Sequence, residues 1–247
     1  MSNSIQVDRG EVSRPSYSRW KHWTQLEQHS DADDHRYRRI VSALGLREGA
    51  TILEIGFGAG TFLSWARTNR YRVTGVEVDP VLIDRAAAAG YRVIQYSEFV
   101  ANPASVGPLD AVLALDVAEH LSADQLLGFF GAISASLDYG GAAYIQIPNA
   151  GSPLSNNIQF GDPTHQFAFT RGSLDYILEG SRLRVVAWAA AIPRTPATMM
   201  SRVVERTRLA GFNVLRGSSR LLCGTGFDWW PVAAAILRMD SHSQEKH

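Results

Sequence analysis

The sequence holds a single cysteine, Cys223, among 247 residues, which excludes an intrachain disulfide and any zinc site built from several thiolates. It has no apolar run near the roughly 18 residues that a membrane span needs. The longest, Val185 to Ile192, is eight residues. It has no surplus charge either: 24 Lys and Arg balance 24 Asp and Glu, whereas nucleic-acid domains usually carry an excess of basic side chains. The opening MSNSIQVDRGEVSR has no hydrophobic core of a secretory signal, so the expected location is the cytoplasm. No repeat or low-complexity tract is visible. What is present is ordinary for a globular protein, with 45% hydrophobic and 19% charged residues in a chain long enough to bury a sizeable core.

Three unequal parts follow along the chain. Residues 1–45 are polar and aromatic, with Tyr17, Trp20, His22, Trp23, His29 and His35 among charges. Tyr37, Ile40, Val41 and Leu44 recur at helical spacing, so Asp34 to Leu46 reads as a helix that Gly45 can stop. These residues are expected to form an N-terminal helical lid. From 46 to 192 strand-like and helix-like segments alternate, the sequence form of a parallel sheet covered by helices. Strands are expected at Thr51 to Ile55, Arg72 to Val78, Arg92 to Tyr96, Ala111 to Leu115 and Ala142 to Ile147. Helices are expected at Thr61 to Thr68, Pro80 to Ala89, Ala123 to Leu137 and Arg171 to Glu179. Two more strands, Leu183 to Ala189 and Val232 to Met239, bracket an insertion at 193–228, and the last strand occupies 229–240. Fold class is thus α/β: a doubly wound, mostly parallel seven-stranded sheet of Rossmann-like type with a C-terminal antiparallel hairpin, read as one domain over 1–247.

Two motifs carry chemistry. In ILEIGFGAGTF, a buried strand reaches Glu54, and Gly56, Gly58 and Gly60 follow before a helix begins near Thr61. Glycines permit a tight turn and close approach of a ligand to backbone, and helix-start amides favour polar or anionic groups. The nicotinamide fingerprint G-x-G-x-x-G wants its third glycine at position 61, where this chain has threonine. In YRVTGVEVD a strand ends at Glu77, 21 residues after Gly56, where an acidic side chain can grip a ribose diol.

Together with LDAVLALDVAEHL at Leu109 to Leu121, these motifs resemble class I S-adenosylmethionine-dependent methyltransferases over about residues 50–190. The resemblance implies that Gly56, Gly58 and Gly60 wrap the methionine part of S-adenosyl-L-methionine and that Glu54 and Glu77 belong to its site, Glu77 on the ribose. Val78 lines the adenine, Ser97 or Glu98 lies at the adenine edge, and Asp116 with Val117 sits near the sulfonium.

The acceptor side is expected around Asp116, Glu119, His120 and, 45 residues later, His165. Asp116 ends a strand, and Glu119 and His120 come to one side if the following loop turns helically. Transfer to an alkyl hydroxyl needs the oxygen aligned and its proton removed, which histidine does near neutral pH, or a divalent metal does by lowering the hydroxyl's pKa. The acid-x-x-Glu-His pattern with a distant His is similar to the metal site of small-RNA 2′-O-methyltransferases, with Asp116 in place of a glutamate, and similar Glu-His pairs occur in quinone-ring O-methyltransferases. It implies Mg, Mn or Zn on Asp116, Glu119, His120 and His165; a metal-free alternative has Glu119 and His120 capping the next helix. Gly161 to Leu174 also resembles an acceptor wall of polysaccharide and natural-product enzymes, with Thr170 an N-cap and Asp162 either orienting His165 or simply forming a turn.

Two further features stand open. Met200, Val203, Val204 and Leu209 alternate with Arg202, Arg206, Arg208 and Arg216 in a helix from Met199 to Leu215. Such a helix can meet a phosphate-bearing acceptor or a membrane surface, although arginines of this kind are more often the solvated face of a packed helix. Tyr17, Trp20 and Trp23 can form a stacking platform or pack an N-terminal helix. The expected activity is methyl transfer to a hydroxyl of a small molecule or glycan. The alternatives are an RNA 2′-O-methyltransferase, an N-methyltransferase, a silent cofactor-binding module and a nicotinamide oxidoreductase; balanced charge weighs against RNA.

Overall fold

The computed structural model describes residues 23, 26–194, 198–223 and 227–240; Tyr17, Trp20 and His22 lie outside them. The chain alternates as α1 (Asp31–Leu44), β1 (Thr51–Ile55), α2 (Thr61–Thr68), β2 (Arg72–Glu77), α3 (Pro80–Ala88), β3 (Arg92–Gln95), α4 (Tyr96–Ala101) and β4 (Leu109–Leu115). It continues with α5 (Ala123–Ser136), β5 (Leu137–Pro148), α6 (Asn156–Gln159), α7 (Arg171–Leu178), β6 (Leu183–Ala190), α8 (Met199–Cys223) and β7 (Val232–Met239), plus single 3-10 turns at Pro103–Val106 and Ala118–His120.

The helices start where their sequences supply caps. Ser30 and Asp33 form a reciprocal capping box on α1, and Gly45, in the left-handed conformation at φ 74°, ends it. Asp79 accepts from the Val81 amide and Pro80 opens α3. Ser122 with Gln125 and Thr170 with Ser173 cap α5 and α7. Since Ser122 caps α5, Glu119 and His120 are not used as its cap.

All seven strands form one sheet in the order β3-β2-β1-β4-β5-β7-β6. β1 to β5 are mutually parallel, and β7 runs antiparallel to both β5 and β6, which is the expected doubly wound sheet closed by an antiparallel pair. On one face Phe99, Phe129, Phe130, Ile133 and Phe169 pack against β4 and β5; on the other, Tyr37, Ile40, Phe62 and Trp65 pack against β1 and β4. All nine are buried, and such burial supplies most of the driving force for the fold.

Some boundaries differ from the sequence expectation for local reasons. β2 stops at Glu77 because its own carboxylate accepts the Val78 and Asp79 amides and turns the chain off the ladder. β3 stops at Gln95, whose side chain accepts from the Ser97 amide, so Tyr96 opens a helix that periodicity did not announce. A larger difference concerns α8. Periodicity suggests a packed apolar face with solvated arginines, yet Met200, Val203 and Val204 lie on the exposed side, while Glu205, Leu209, Phe212 and Ser219 face the protein. Glu205 pairs inward with Arg39 of α1, 2.7 Å away, an ion pair that goes with this rotation of the helix.

Candidate active site

The carboxyl ends of the five parallel strands share one edge, the place where open α/β sheets bind ligands. β1 delivers the glycine turn there. Gly56, Gly58 and Gly60 all have positive φ, at 72°, 50° and 78°, a region that side chains with a Cβ rarely adopt. A Cβ at Gly56 would lie 2.5 Å from Val117 Cγ2. One on Gly58 would meet the Trp23 ring at 2.8 to 3.1 Å, and one on Gly60 would meet Leu26 Cδ2 at 2.8 Å. At Gly58 and Gly60 the close approach is therefore used by the chain's own segment before α1, which the Glu27 amide pins to the Ala59 carbonyl at 2.8 Å, and at Gly56 by Val117 after β4. Gly60 puts no side chain on the start of α2, so its first amides are available to a ligand.

Glu54 and Glu77 stand on adjacent strands beside this turn. Glu77 Oε2 accepts from the Gly58 amide at 3.1 Å, and Oε1 from the Val78 amide at 2.7 Å. Burial lifts the Glu54 carboxyl well above its usual range, the neighbouring Glu77 adds to the rise, and Arg36 opposes it. Next to them Val78 is 61% exposed, an apolar side chain presented at the edge. Ser97 and Glu98, at the start of α4 after β3, are exposed on the same side.

Asp116 follows β4 with a left-handed backbone at φ 58°, which Asp tolerates better than most residues. Its carboxylate accepts both contacts of the Gln146 amide, at 3.0 and 2.9 Å, and Gln146 Oε1 accepts from Arg36 at 2.9 Å. Asp116 is exposed at this edge, but desolvation of its carboxyl by the groups crowded around it raises it, against the pull of Gln146, Arg36 and the two nearby histidines. Gln146 and Arg36 were not singled out in the sequence. The visible signal for Gln146 is a lone polar residue inside the apolar run of β5.

Glu119 and His120 sit on the 3-10 turn after Asp116. The 162–167 segment is fastened over that turn: the Gln166 and Phe167 amides donate to the Glu119 carbonyl, and Gln166 Nε2 to the His120 carbonyl at 2.7 Å. This docking brings the two histidine rings to 4.8 Å between centroids. His165 Nδ1 is 3.0 Å from the Gln159 carbonyl, so it carries the proton and Nε2 is the acceptor nitrogen of the neutral ring. That Nε2 lies 4.0 Å from both Glu119 Oε1 and Asp162 Oδ2. Asp162 Oδ1 also accepts from the Thr164 hydroxyl at 2.5 Å and its amide at 3.0 Å, so Asp162 forms the turn and faces His165 at once. The Thr164 oxygen in turn pairs with His120 Nδ1 at 2.9 Å. Because that hydroxyl donates to a carboxylate, it accepts from the imidazole, which makes His120 Nε2 the basic nitrogen of its neutral ring.

Ligand atoms of Glu119, His120 and His165 lie within 4.8 Å of one another; Asp116, expected with them, is held by Gln146 instead. The His165 and Glu119 side chains are 7% and 1% exposed, whereas His120 is half-buried at the rim. Thr164 and the Gln159 carbonyl, which set both rings, carry no signal that the sequence alone would single out. A hollow of about 450 Å³ between Leu44–Ala50 and Asp138–Gly141 lies at the opposite edge of the sheet, away from this cluster.

The sequence profile of a family described as a methyltransferase domain matches residues 27–187, more than half of the chain. The chain belongs to the methyltransferase domain family. No curated protein matches this methyltransferase. Among solved structures it is similar to a SAM-dependent methyltransferase from Archaeoglobus fulgidus, with 21% identity, 83% of this chain and 91% of that one covered, and a TM-score of 0.57. It is also similar to an S-adenosylmethionine-dependent methyltransferase from Clostridium acetobutylicum, with 10% identity over 92% of this chain and 100% of that one and a TM-score of 0.60. The mitomycin 7-O-methyltransferase MmcR aligns at 15% identity over 84% of this chain and 55% of that one, with a TM-score of 0.52. At these identities the neighbours show a shared fold. The methyltransferase is an S-adenosylmethionine-dependent enzyme of class I architecture, and among the described residues no helix is long and apolar enough to cross a membrane.

Proposed function

We propose that the methyltransferase moves a methyl group from S-adenosylmethionine to a hydroxyl of a small molecule or glycan, with His120 as the proton acceptor. The observation that carries this reading is the chain from Asp162 through the Thr164 hydroxyl to His120 Nδ1, an oriented base of the kind that activates a poor nucleophile. The hydroxyl oxygen attacks the methyl carbon in line, the bond from carbon to sulfur breaks, and S-adenosylhomocysteine leaves as a neutral thioether. The hydroxyl proton passes to His120 Nε2. Glu77 binds the ribose, the 56–60 turn the methionine part, Val78 and the Ser97–Glu98 corner the adenine, and Asp116 with Val117 borders the sulfonium. His165 and Glu119, more enclosed, position the base from behind. The described parts of the N-terminal element and of the 193–228 insertion are assigned to the acceptor side. A mitomycin 7-O-methyltransferase shares the fold, which is compatible with this acceptor class without selecting it.

A second reading is favoured by the convergence of Glu119, His120 and His165, whose nitrogen and oxygen donors suit Mg, Mn or Zn. Both Nδ1 atoms are engaged, which leaves each Nε2 as the donor atom a cation would use. When bound there, a divalent metal supplies Lewis acidity to an acceptor hydroxyl.

The test is kinetic. His120→Ala should lower kcat by about 100-fold or more while leaving cofactor affinity, read by calorimetry, unchanged, and Thr164→Val should give a smaller loss in kcat. Full turnover in His120→Ala rejects the assignment of the base. Treatment with a chelator followed by Mg, Mn or Zn separates the readings: activity indifferent to all of these removes the metal.

A further inference from the structure

α8 is an amphipathic helix with its apolar side turned outward. At 25 residues it is about 37 Å long at 1.5 Å per residue. Met199, Met200, Val203, Val214, Leu221 and Leu222 are between 50% and 87% exposed. At about 100° per residue they fall within an arc of roughly 140°, and the remaining positions of that arc, Val204, Thr207, Ala210, Gly211, Gly217 and Ser218, are uncharged as well. Arg202, Arg206 and Arg220 line one flank of the arc and Arg208 the other, all exposed. The helix has five arginines and a single acid, Glu205. That acid faces inward and is paired with Arg39, its side chain 11% exposed. Nothing among the described residues covers the outer arc. Exposed apolar surface that is continuous rather than scattered marks an interaction site.

We propose that the outer face of α8 docks on an anionic lipid surface. An uncharged apolar arc bordered by basic side chains is what a helix lying in the headgroup plane requires: the apolar side chains enter the acyl boundary and the arginines reach outward to lipid phosphates. The charge pattern also discriminates against a second copy of this chain. A two-fold partner would bring arginine flanks against arginine flanks, with no exposed acid on the helix to meet them. The position fits as well. β6 ends and β7 begins beside Pro148, the carboxyl end of β5, so the 191–231 connection leaves and returns at the edge that holds the candidate active site. Docking through α8 sets that edge close to the membrane without any chain crossing it.

Binding is measured without turnover, so the result stands apart from the methyl-transfer reading. The full chain is sedimented with vesicles of phosphatidylcholine containing about one third phosphatidylglycerol, and with pure phosphatidylcholine. It should pellet with the first, weakly with the second, and less at high salt. The double variant Val203→Asp with Leu221→Asp, and separately the triple Arg202→Ala, Arg206→Ala and Arg220→Ala, should bind the anionic vesicles about tenfold or more weakly. Their thermal melting should be that of the wild type, since these side chains are exposed. Absence of vesicle binding, or variants that bind as well as wild type, overturns the proposal. So does a wild-type dimer in analytical ultracentrifugation that Leu221→Asp converts to monomer, because a second copy would then be the occupant.

Discussion

Glu54 and Glu77 bring two carboxylates to adjacent strand ends, and only one of them has a full set of donors. Glu77 accepts three backbone amides, whereas Glu54 Oε2 is buried with no hydrogen-bond partner. A carboxyl whose folded pKa is raised binds its proton more tightly in the folded chain than in the unfolded one. Its contribution is therefore fully present below the unfolded value, about 4.3, and is lost as pH rises toward the raised one. Glu54→Gln, an isostere that stays neutral, should melt with wild type in acid and gain on it by up to about 1.4 kcal/mol per pH unit above that point. Thermal melts of the two proteins across pH 5 to 8, without cofactor, check this; a gap that does not widen contradicts it. At this scale the glycines and Glu77 were legible because a strand-end turn demands particular residue types. Arg36 and Thr164 were not, since each acts through a partner distant in sequence, 110 residues for Arg36 with Gln146 and 44 for Thr164 with His120.

Elements were legible where caps are local. Thr170 announces the start of α7, whereas the Ser30 cap was not picked out and α1 begins at Asp31 rather than at the expected Asp34, and β2 and β3 end early because side chains of the strands themselves bind the next amides. For α8, period 3.6 defines two faces but does not say which one turns inward, and the partners of the inward face, Arg39 among them, are distant in sequence. At the start of α1, Asp33 is buried at 1% exposure. Burial alone would raise that carboxyl, yet bonds from Ser30 and the guanidinium of Arg194, 2.6 Å away, hold it below the usual range. Its stabilisation is complete above the ordinary aspartate pKa of about 3.9 and fades as pH falls through the lowered value. Asp33→Ala removes half of the capping box and leaves Arg194 without its acid, so it should lower stability at pH 7 by about 1 to 3 kcal/mol. Urea denaturation measures this, and the difference between the two proteins should shrink in acid.

Over the whole molecule, the alternation of strands and helices already implied a doubly wound sheet, because parallel neighbours joined by right-handed crossovers leave few arrangements. Binding to such a sheet stabilises the entire chain. Saturation with S-adenosylhomocysteine at about 100 times its Kd should add about 2.7 kcal/mol and raise Tm by roughly 5 to 10 °C. Glu77→Gln retains an acceptor for the Val78 amide but turns an NH2 donor toward the Gly58 amide, so it should melt somewhat below wild type alone and show little of that rise when the ligand is added. An equal rise in both proteins removes Glu77 from the cofactor site. Three side chains on successive turns of α1 have a consequence at this scale. Asp33 holds Arg194, Arg36 reaches Gln146 and through it Asp116, and Arg39 holds α8. One rod is thereby bolted to the start of the insertion, the sheet edge and the insertion's helix. Neutralising Arg39 or Arg194 therefore cuts one of these bolts without touching the sheet, and an Arg39→Ala chain should expose α8 to limited proteolysis while leaving Asp116 on Gln146.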